Sequence, residues 1–203
     1  MKTKVMMIVG VVAIASLTAC GSDKSNSSGS TATTPISSTA STTSNAAAFN
    51  DADVKFLQSM IPHHQQAVQM AEFALDPAVG ASQKVVDLAT RIQAAQDPEI
   101  QTMTTWLKDW GTPTTMDTSG GMSGMGGMDG MMSDADMTTL KAAKGAGFDK
   151  MWLTMMVEHH TGAISMAQSV TAKGKNTDVR ALAQMIITGQ QSEVVEMKSL
   201  LAA

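Results

Sequence analysis

Few cysteines, aromatics and charges limit what this 203-residue chain can be. It has one cysteine, no tyrosine, three tryptophans and four phenylalanines, and charged side chains make up 16% of the sequence. One cysteine cannot form an intrachain disulfide or a cysteine-based zinc site. The net charge of −4, without a basic run, argues against nucleic-acid binding, and so few aromatics cannot form a surface for stacking bases.

Methionine is the residue in excess, with 19 copies in the chain. Methionine usually fills gaps in hydrophobic cores, so an excess calls for a reason only where packing cannot supply one. Its thioether is also a soft metal ligand. The position of each methionine therefore decides what the excess means.

The N-terminus has the pattern of a bacterial lipoprotein leader. Lys2 and Lys4 precede an apolar run that is too short to predict a membrane span. The run ends in Leu-Thr-Ala-Cys20, which resembles a lipobox. We expect residues 1–19 to be a signal peptide and Cys20 to carry the lipid, with cleavage at an ordinary site and an incidental Cys20 as the alternative. The lipid would be the only membrane attachment, on the extracytoplasmic side of a bacterial cell envelope.

Residues 20–48 are rich in Ser, Thr, Ala and Asn and carry almost no apolar bulk. Such a segment cannot offset its ordering entropy by burial, and a disordered tether is predicted. The folded domain is expected over residues 49–203.

Four stretches of that domain have apolar residues at the spacing of long amphipathic helices. They cover residues 51–75, 82–110, 148–172 and 178–201. Pro62 and Pro98 fall inside the first two and are expected to kink or split them. Ser133 and Asp136 form a capping-box pattern for a short extra helix. Gly145 and Gly147 are expected to end that helix before the third long one begins.

The two halves of the domain repeat each other. The twelve residues from Met60 match those from Met156 at an offset of 96, with six identities that include both His-His pairs. The partner helices match at an offset of 94. A duplicated hairpin of long helices predicts an all-α, up-down four-helix bundle with halves 49–111 and 146–203, joined by a methionine- and glycine-rich connector over 112–145.

All four histidines of the chain lie in the repeated motif, next to methionines at matched positions. On a helical wheel His64 points to the core stripe and His63 lies on its shoulder. Imidazole and thioether together suit copper in an oxidising compartment, with Cu(I) favoured and Cu(II) as the second form. The predicted metal ligands in the helices are His63, His64, Met60, Met70, His159, His160, Met156 and Met166.

Further ligands or supporting residues are predicted around this motif. Polar residues interrupt otherwise apolar stripes of the partner helices, and buried polar groups need partners, which a histidine or a metal would supply. The polar candidates are Gln96, Glu99, Gln190 and Glu193. Three methionines near the motif or in the same stripes join them as candidates: Met103, Met155 and Met197. Metal-free packing is the alternative: a polar core network of His63, His64, Gln96 and Glu99, with Met185 and Met197 as core gap-fillers.

The connector carries methionines at three-residue spacing between glycines. A glycine-rich segment has no core for them to fill, so we predict capture of a soft metal by Met122, Met125, Met128 and Met131. A low-complexity linker whose methionines scavenge oxidants is the alternative.

The sequence His-His-x-x-Ala-x-x-Met-Ala occurs twice, each time followed by a helix of the form Ile-x-x-x-Gln-x-x-Glu-[Ile/Val]-x-x-Met-x-x-x-Leu. From about residue 50 onward the chain resembles the bacterial domain of unknown function 305 (DUF305). The resemblance implies a ferritin-like bundle and an exported protein, and some members of that family are associated with copper binding and tolerance. The motif positions carried over are His63, His64, Met70, His159, His160 and Met166.

The expected function is copper binding outside the membrane, for buffering, sequestration or tolerance, with no catalytic residue. A metal-free surface module that binds an unknown protein partner is the alternative. A carboxylate-bridged di-iron oxidase is disfavoured, because such sites use Glu-x-x-His on two helices. Here Glu158 directly precedes His159, and Pro62 takes that place in the first half.

Overall fold

The computed structural model describes residues 48–115 and 129–203. The predicted leader, Cys20, the tether up to residue 47 and three of the connector methionines, Met122, Met125 and Met128, lie outside the described residues. Those predictions, and the division of the chain that depends on them, stay predictions.

Within the described residues the chain is entirely helical. The helices are α1 (Asp51–Leu75), α2 (Gln83–Asp109), α3 (Asp134–Ala142), α4 (Gly145–Lys173) and α5 (Thr177–Leu201). The prediction of an all-α bundle is thus confirmed. None of these helices is both long and apolar enough to cross a membrane.

The helix starts follow the capping rules. Asn50 and Ser133 each form a capping box with an aspartate three residues later, and the Asn176 side chain accepts hydrogen bonds from the first turn of α5. These caps satisfy backbone N–H groups that the helix itself leaves unpaired. The third long helix begins earlier than predicted, because Gly145 adopts φ +54° and lets α4 start there.

The structure contradicts one of the two effects expected of proline, the splitting of the first two helices. Both α1 and α2 run without a break through Pro62 and Pro98. Each proline removes one backbone donor, and the apolar faces on either side of it remain packed in the core. Packing on both sides outweighs the loss of a single hydrogen bond.

The four long helices form a closed ring. Helix α1 packs on α2, α4 packs on α5, and α1 packs on α4. The α1 and α4 helices are antiparallel, because Asp53 meets the residues after α4 while Trp152 donates from its indole to the Met70 carbonyl. The ring closes where Arg91 of α2 binds Glu196 of α5, and α3 lies against α4.

The interior consists of two apolar cores, one toward each end of the bundle. One contains Met156 and Met197 with Ala67 and Ala71. The other contains the matching Met60 and Met103 with Ala163 and Ala167. Each half thus packs its methionines against the alanines of the other half. Two buried polar residues, Asp53 and Asn176, lie at one end of the bundle. The other six buried polar residues that the structure describes fall between the two cores: His63, His64, Gln96, His159, His160 and Gln190.

A pair of aspartates at the same repeat position ties the halves together. Asp53 is fully buried, and its Oδ2 accepts from the backbone N–H groups of Asn50, Lys175 and Asn176 at 2.9, 3.0 and 3.0 Å. Its repeat partner Asp149 accepts from the N–H of Ser82 at 3.1 Å, on the exposed surface. Each carboxylate therefore holds the start of the second helix of the other half.

We predict that Asp53→Ala lowers the free energy of unfolding by about 2–4 kcal/mol, because it leaves buried N–H groups without an acceptor. Asp149→Ala is the matched control and should cost about 1 kcal/mol or less, since water replaces the lost acceptor. Denaturant unfolding monitored by helical circular dichroism measures both. Equal losses for the two variants would contradict the assignment of Asp53 as the stronger tie.

Candidate metal centre

The polar layer between the two cores is built on the four histidines. His63, His64, His159 and His160 all have side chains with no exposed surface. The helical wheel places His63 on the shoulder of the core stripe, and in the bundle this flank of α1 is as fully buried as the stripe itself. The wheel describes one helix, whereas α4 covers the flank of α1 and buries both histidines of the motif.

The first histidine of each motif meets its counterpart across the α1–α4 interface. The His63 and His159 ring centroids are 3.7 Å apart, with the rings tilted by 39°. Because these two residues are equivalent in the repeat, the pseudo-twofold axis of the bundle passes near this contact. The sequence motif placed the two pairs on separate helices, and only the packing brings them together.

The second histidine of each motif binds a glutamate of its own hairpin. His64 Nε2 lies 2.8 Å from Glu99 Oε2, and His160 Nε2 lies 2.7 Å from Glu193 Oε2. The prediction that the polar residues of the partner helices need a histidine partner is therefore met for both glutamates. A neutral ring that donates Nε2–H to a carboxylate keeps its Nδ1 lone pair, which is the arrangement of many metal-bound histidines.

Several buried nitrogen atoms in this layer have no hydrogen-bond partner within the described part of the chain. They include both ring nitrogens of His159 and the Nδ1 atoms of His63, His64 and His160. The side-chain amides of Gln96 and Gln190 also keep unpaired atoms. Buried polar atoms without partners cost free energy, so such a concentration points to a function rather than to packing.

Burial keeps the central pair of histidines neutral. Burial and, to a lesser extent, the neighbouring His64 together lower the pKa of His63 to about 3, against the opposite effect of the hydrogen bond to the Asp129 carbonyl. Burial also lowers the pKa of His159 well below its ordinary value, with His63 as the next cause. Both imidazoles are therefore unprotonated at neutral pH, as a metal ligand must be.

The connector residues just before α3 cross the histidine layer as a strap, which we define as residues 129–133. The His63 ring donates to the Asp129 carbonyl at 3.3 Å. The Gln66 side chain holds the backbone of Met132 from both sides, accepting from its N–H at 2.7 Å and donating to its carbonyl at 2.9 Å. Gly130, at φ +82°, lies directly on the backbone of α4.

Gly162 makes room for the strap. A Cβ atom on Gly162 would lie 1.9 Å from the Asp129 carbonyl oxygen, which is far inside contact distance. Sequence reasoning missed Gln66, Asp129 and Gly162. The available signal was a mismatch in the repeat, since Gln66 and Gly162 occupy equivalent positions and differ strongly in size.

The predicted methionine ligands fall into two groups. Met131, Met155 and Met166 are partly exposed, and Met131 lies in the strap. The others are fully buried in the two cores: Met60, Met70, Met103, Met156 and Met197. The prediction that Met185 fills a core gap is wrong, because 62% of that residue is exposed.

No three His, Cys, Asp or Glu residues within 48–115 and 129–203 form a group that could hold a metal. A metal here would therefore need thioether ligands as well as histidines.

The sequence matches the family described as "Domain of unknown function (DUF305)" over residues 53–201. The chain belongs to this family, and the resemblance drawn from the histidine motif is confirmed. It is also 40% identical over 53 residues to the uncharacterized protein L153 of Acanthamoeba polyphaga mimivirus. That alignment covers 26% of this chain and 35% of the viral protein.

Solved structures share the fold. A DUF305 protein from Streptomyces coelicolor, predicted to be secreted, is 32% identical with a TM-score of 0.65, over 74% of this chain and 91% of that one. A DUF305 fragment from Deinococcus radiodurans is 28% identical with a TM-score of 0.67, over 75% and 97% of the two chains. CopM in the Cu(I)-bound form is 30% identical with a TM-score of 0.61, over 73% and 94%. CopM has also been solved in Cu(II)-bound and Ag-bound forms.

We predict that Gly162→Ala displaces the strap, because the added methyl group and the Asp129 carbonyl cannot share the same space. The overlap should cost about 1–3 kcal/mol, more than the gain in helix propensity returns. Limited proteolysis should cut the variant within residues 129–133 faster than the parent protein. Gly189→Ala in α5 is the control, since nothing lies within 4 Å of its Cβ position. That variant should be stabilised by about 0.5–1 kcal/mol. If both variants behave alike, the strap is not held at Gly162.

The buried histidines also predict how stability depends on pH. Their folded-state pKa values are lowered from 6.5, to about 3 for His63, so the unfolded chain binds more protons between these limits. Their contribution to stability is present above pH 6.5 and is lost progressively as the pH falls toward 3. Each imidazole should contribute a slope of about 1 kcal/mol per pH unit near pH 5. Unfolding measured from pH 4.5 to 7 should show a flatter slope in a His63→Leu, His159→Leu variant, and an unchanged slope would contradict this assignment.

Proposed function

We propose that this DUF305 protein binds copper through histidine and methionine side chains, holding it outside the cytoplasmic membrane for buffering, sequestration or tolerance. Cu(I) is the favoured form and Cu(II) the second. The observation that carries the proposal is His159, a fully buried and neutral imidazole whose two ring nitrogens have no hydrogen-bond partner in the described residues, with its ring centroid 3.7 Å from that of the equally buried His63. The residues present fit a soft cation, because neutral imidazole and thioether are the ligands that copper prefers.

The supporting structure around the histidines fits the same role. Glu99 and Glu193 orient His64 and His160 through their Nε2 atoms and leave the Nδ1 atoms unpaired. Carboxylate partners of this kind raise the basicity of a histidine ligand and fix its tautomer. Copper-bound and silver-bound forms of CopM, a structural neighbour at 30% identity, support copper as the cargo.

We propose a binding protein, not an enzyme. Each of the two buried-layer glutamates is bonded to a histidine of its own hairpin, whereas a di-iron centre needs carboxylates that bridge two metals. The connector methionines Met122, Met125, Met128 and Met131 are proposed to capture the ion before it reaches the histidine layer. Lipid attachment at Cys20 is proposed to hold the protein at the membrane surface.

Titration of the chain with Cu(I) against a competing chelator tests the proposal. His159→Leu should weaken Cu(I) binding by about 100-fold, which is the loss of roughly 2.7 kcal/mol of ligand interaction. The same variant should unfold at an equal or higher denaturant concentration, because an apolar isostere removes the unpaired nitrogens. Weaker copper binding without weaker folding separates a ligand from a structural residue.

Two controls complete the titration. Gln168→Ala changes an exposed position of α4 near the motif and should leave copper affinity unchanged. Deletion of residues 116–128 should lower the number of Cu(I) ions bound while the tightest site remains. Copper binding no tighter than that of a methionine-poor helical bundle would overturn the proposal.

A further inference from the structure

The two His–Glu pairs have the same geometry but different surroundings. Glu99 and Glu193 occupy equivalent repeat positions, and their side chains are similarly exposed, at 22% and 19%. Solvent therefore reaches both carboxylates equally. Any difference between the halves must come from the neighbouring side chains on α2 and α5.

Glu99 lies in a groove of about 440 Å³ between α2 and α5. Trp106 and Thr102 line it from α2, and Met185 and Asp178 line it from α5. Met185 is 62% exposed, so its thioether is available to solvent at the mouth of the groove. An exposed methionine, an indole and two carboxylates in one groove offer a cation a soft ligand, an aromatic face and negative charge.

The equivalent place in the other half is blocked by an ion pair. At the repeat offset of 94, Met185 corresponds to Arg91 and Thr102 corresponds to Glu196. Arg91 Nη2 contacts both Glu196 carboxylate oxygens at 2.6 Å and so spans α2 and α5. Glu196 lies one turn from Glu193 on α5, so the ion pair spans the two helices on the face that carries Glu193. This face also lacks a thioether at the position of Met185, which Arg91 occupies.

We infer that the groove at Glu99 is the entrance through which a soft monovalent cation reaches the histidine layer, with Met185 as its first ligand. The cation passes from the Met185 thioether to Glu99, and from Glu99 to His64, which is bonded to it. The equivalent face beside Glu193, which the Arg91–Glu196 ion pair spans, takes up no cation. This inference rests on the proposed function and adds the route and the residues that define it.

Exchange of the paired residues between the halves tests the entrance. Met185→Arg with Thr102→Glu installs the ion pair over Glu99, and Arg91→Met with Glu196→Thr removes it beside Glu193. Met185→Leu keeps the side-chain size and removes only the sulfur. The probe is Ag(I), a soft monovalent ion with no redox chemistry under these conditions, and stopped-flow quenching of Trp106 fluorescence reports its arrival.

The ion-pair variant should slow Ag(I) uptake by about tenfold, because it removes the thioether from the groove and covers Glu99 with a paired side chain. Met185→Leu should slow uptake by about threefold, and the Arg91→Met, Glu196→Thr variant should speed it by about twofold, because a second entrance opens. The final affinity for Cu(I) should stay within about twofold in all three, since the histidine layer is unchanged. The fluorescence signal should disappear in Trp106→Phe.

The outcomes separate the entrance from the proposed function. Tight Cu(I) binding with the same Ag(I) uptake rate in every variant overturns the entrance and leaves the function standing. Absence of Cu(I) binding in the parent protein overturns both. Circular dichroism and denaturant midpoints check that each variant folds. If the ion-pair variant does not fold, Met185→Lys alone decides, because that exposed position adds the charge without disturbing the core.

Discussion

The burial of four imidazoles in one layer is the constraint on which the rest of the structure depends. Two apolar cores close over this layer from both ends, so the central rings stay neutral and every polar atom needs a partner from the protein. Glu99, Glu193 and the Asp129 carbonyl supply some of these partners. The atoms left without a partner in the described residues, above all both nitrogens of His159, are those that we propose hold the soft cation.

The duplication of the helical hairpin accounts for the symmetric parts of the bundle, and a few positions depart from that symmetry. Four buried methionines, Met60, Met103, Met156 and Met197, obey the pseudo-twofold symmetry, as do the alanines that face them and the positions of the two aspartates that tie the halves. The symmetry is broken at two positions where equivalent residues of the halves differ in size or charge. Gly162 admits the strap on one side only, and Arg91 occupies one of the two faces between α2 and α5. These two positions are where the two halves of the bundle differ in what covers the histidine layer and its glutamates.

Helix periodicity predicted the long helices to within a few residues, because each amphipathic stripe is encoded locally. The capping box at Ser133 was equally local and is confirmed. The errors arose where distant packing overrides a local rule. Pro62 and Pro98 do not break their helices, because the apolar faces on both sides are buried. Met185 is exposed because it lines a groove between α2 and α5. The pattern of a single helix does not show where such a groove lies.

By itself the sequence determined the helical class, the duplication, the family and the chemistry of the candidate ligands, since these depend on residue type and spacing along one chain. Only the tertiary structure decided which histidines meet, which glutamate holds each ring and which carbonyl covers His63. The physical reason is that neutralisation and pairing are properties of a buried volume enclosed by several helices. The repeated motif shows from the sequence that the chain has two histidine pairs. The antiparallel packing of α1 on α4 places both pairs in one layer.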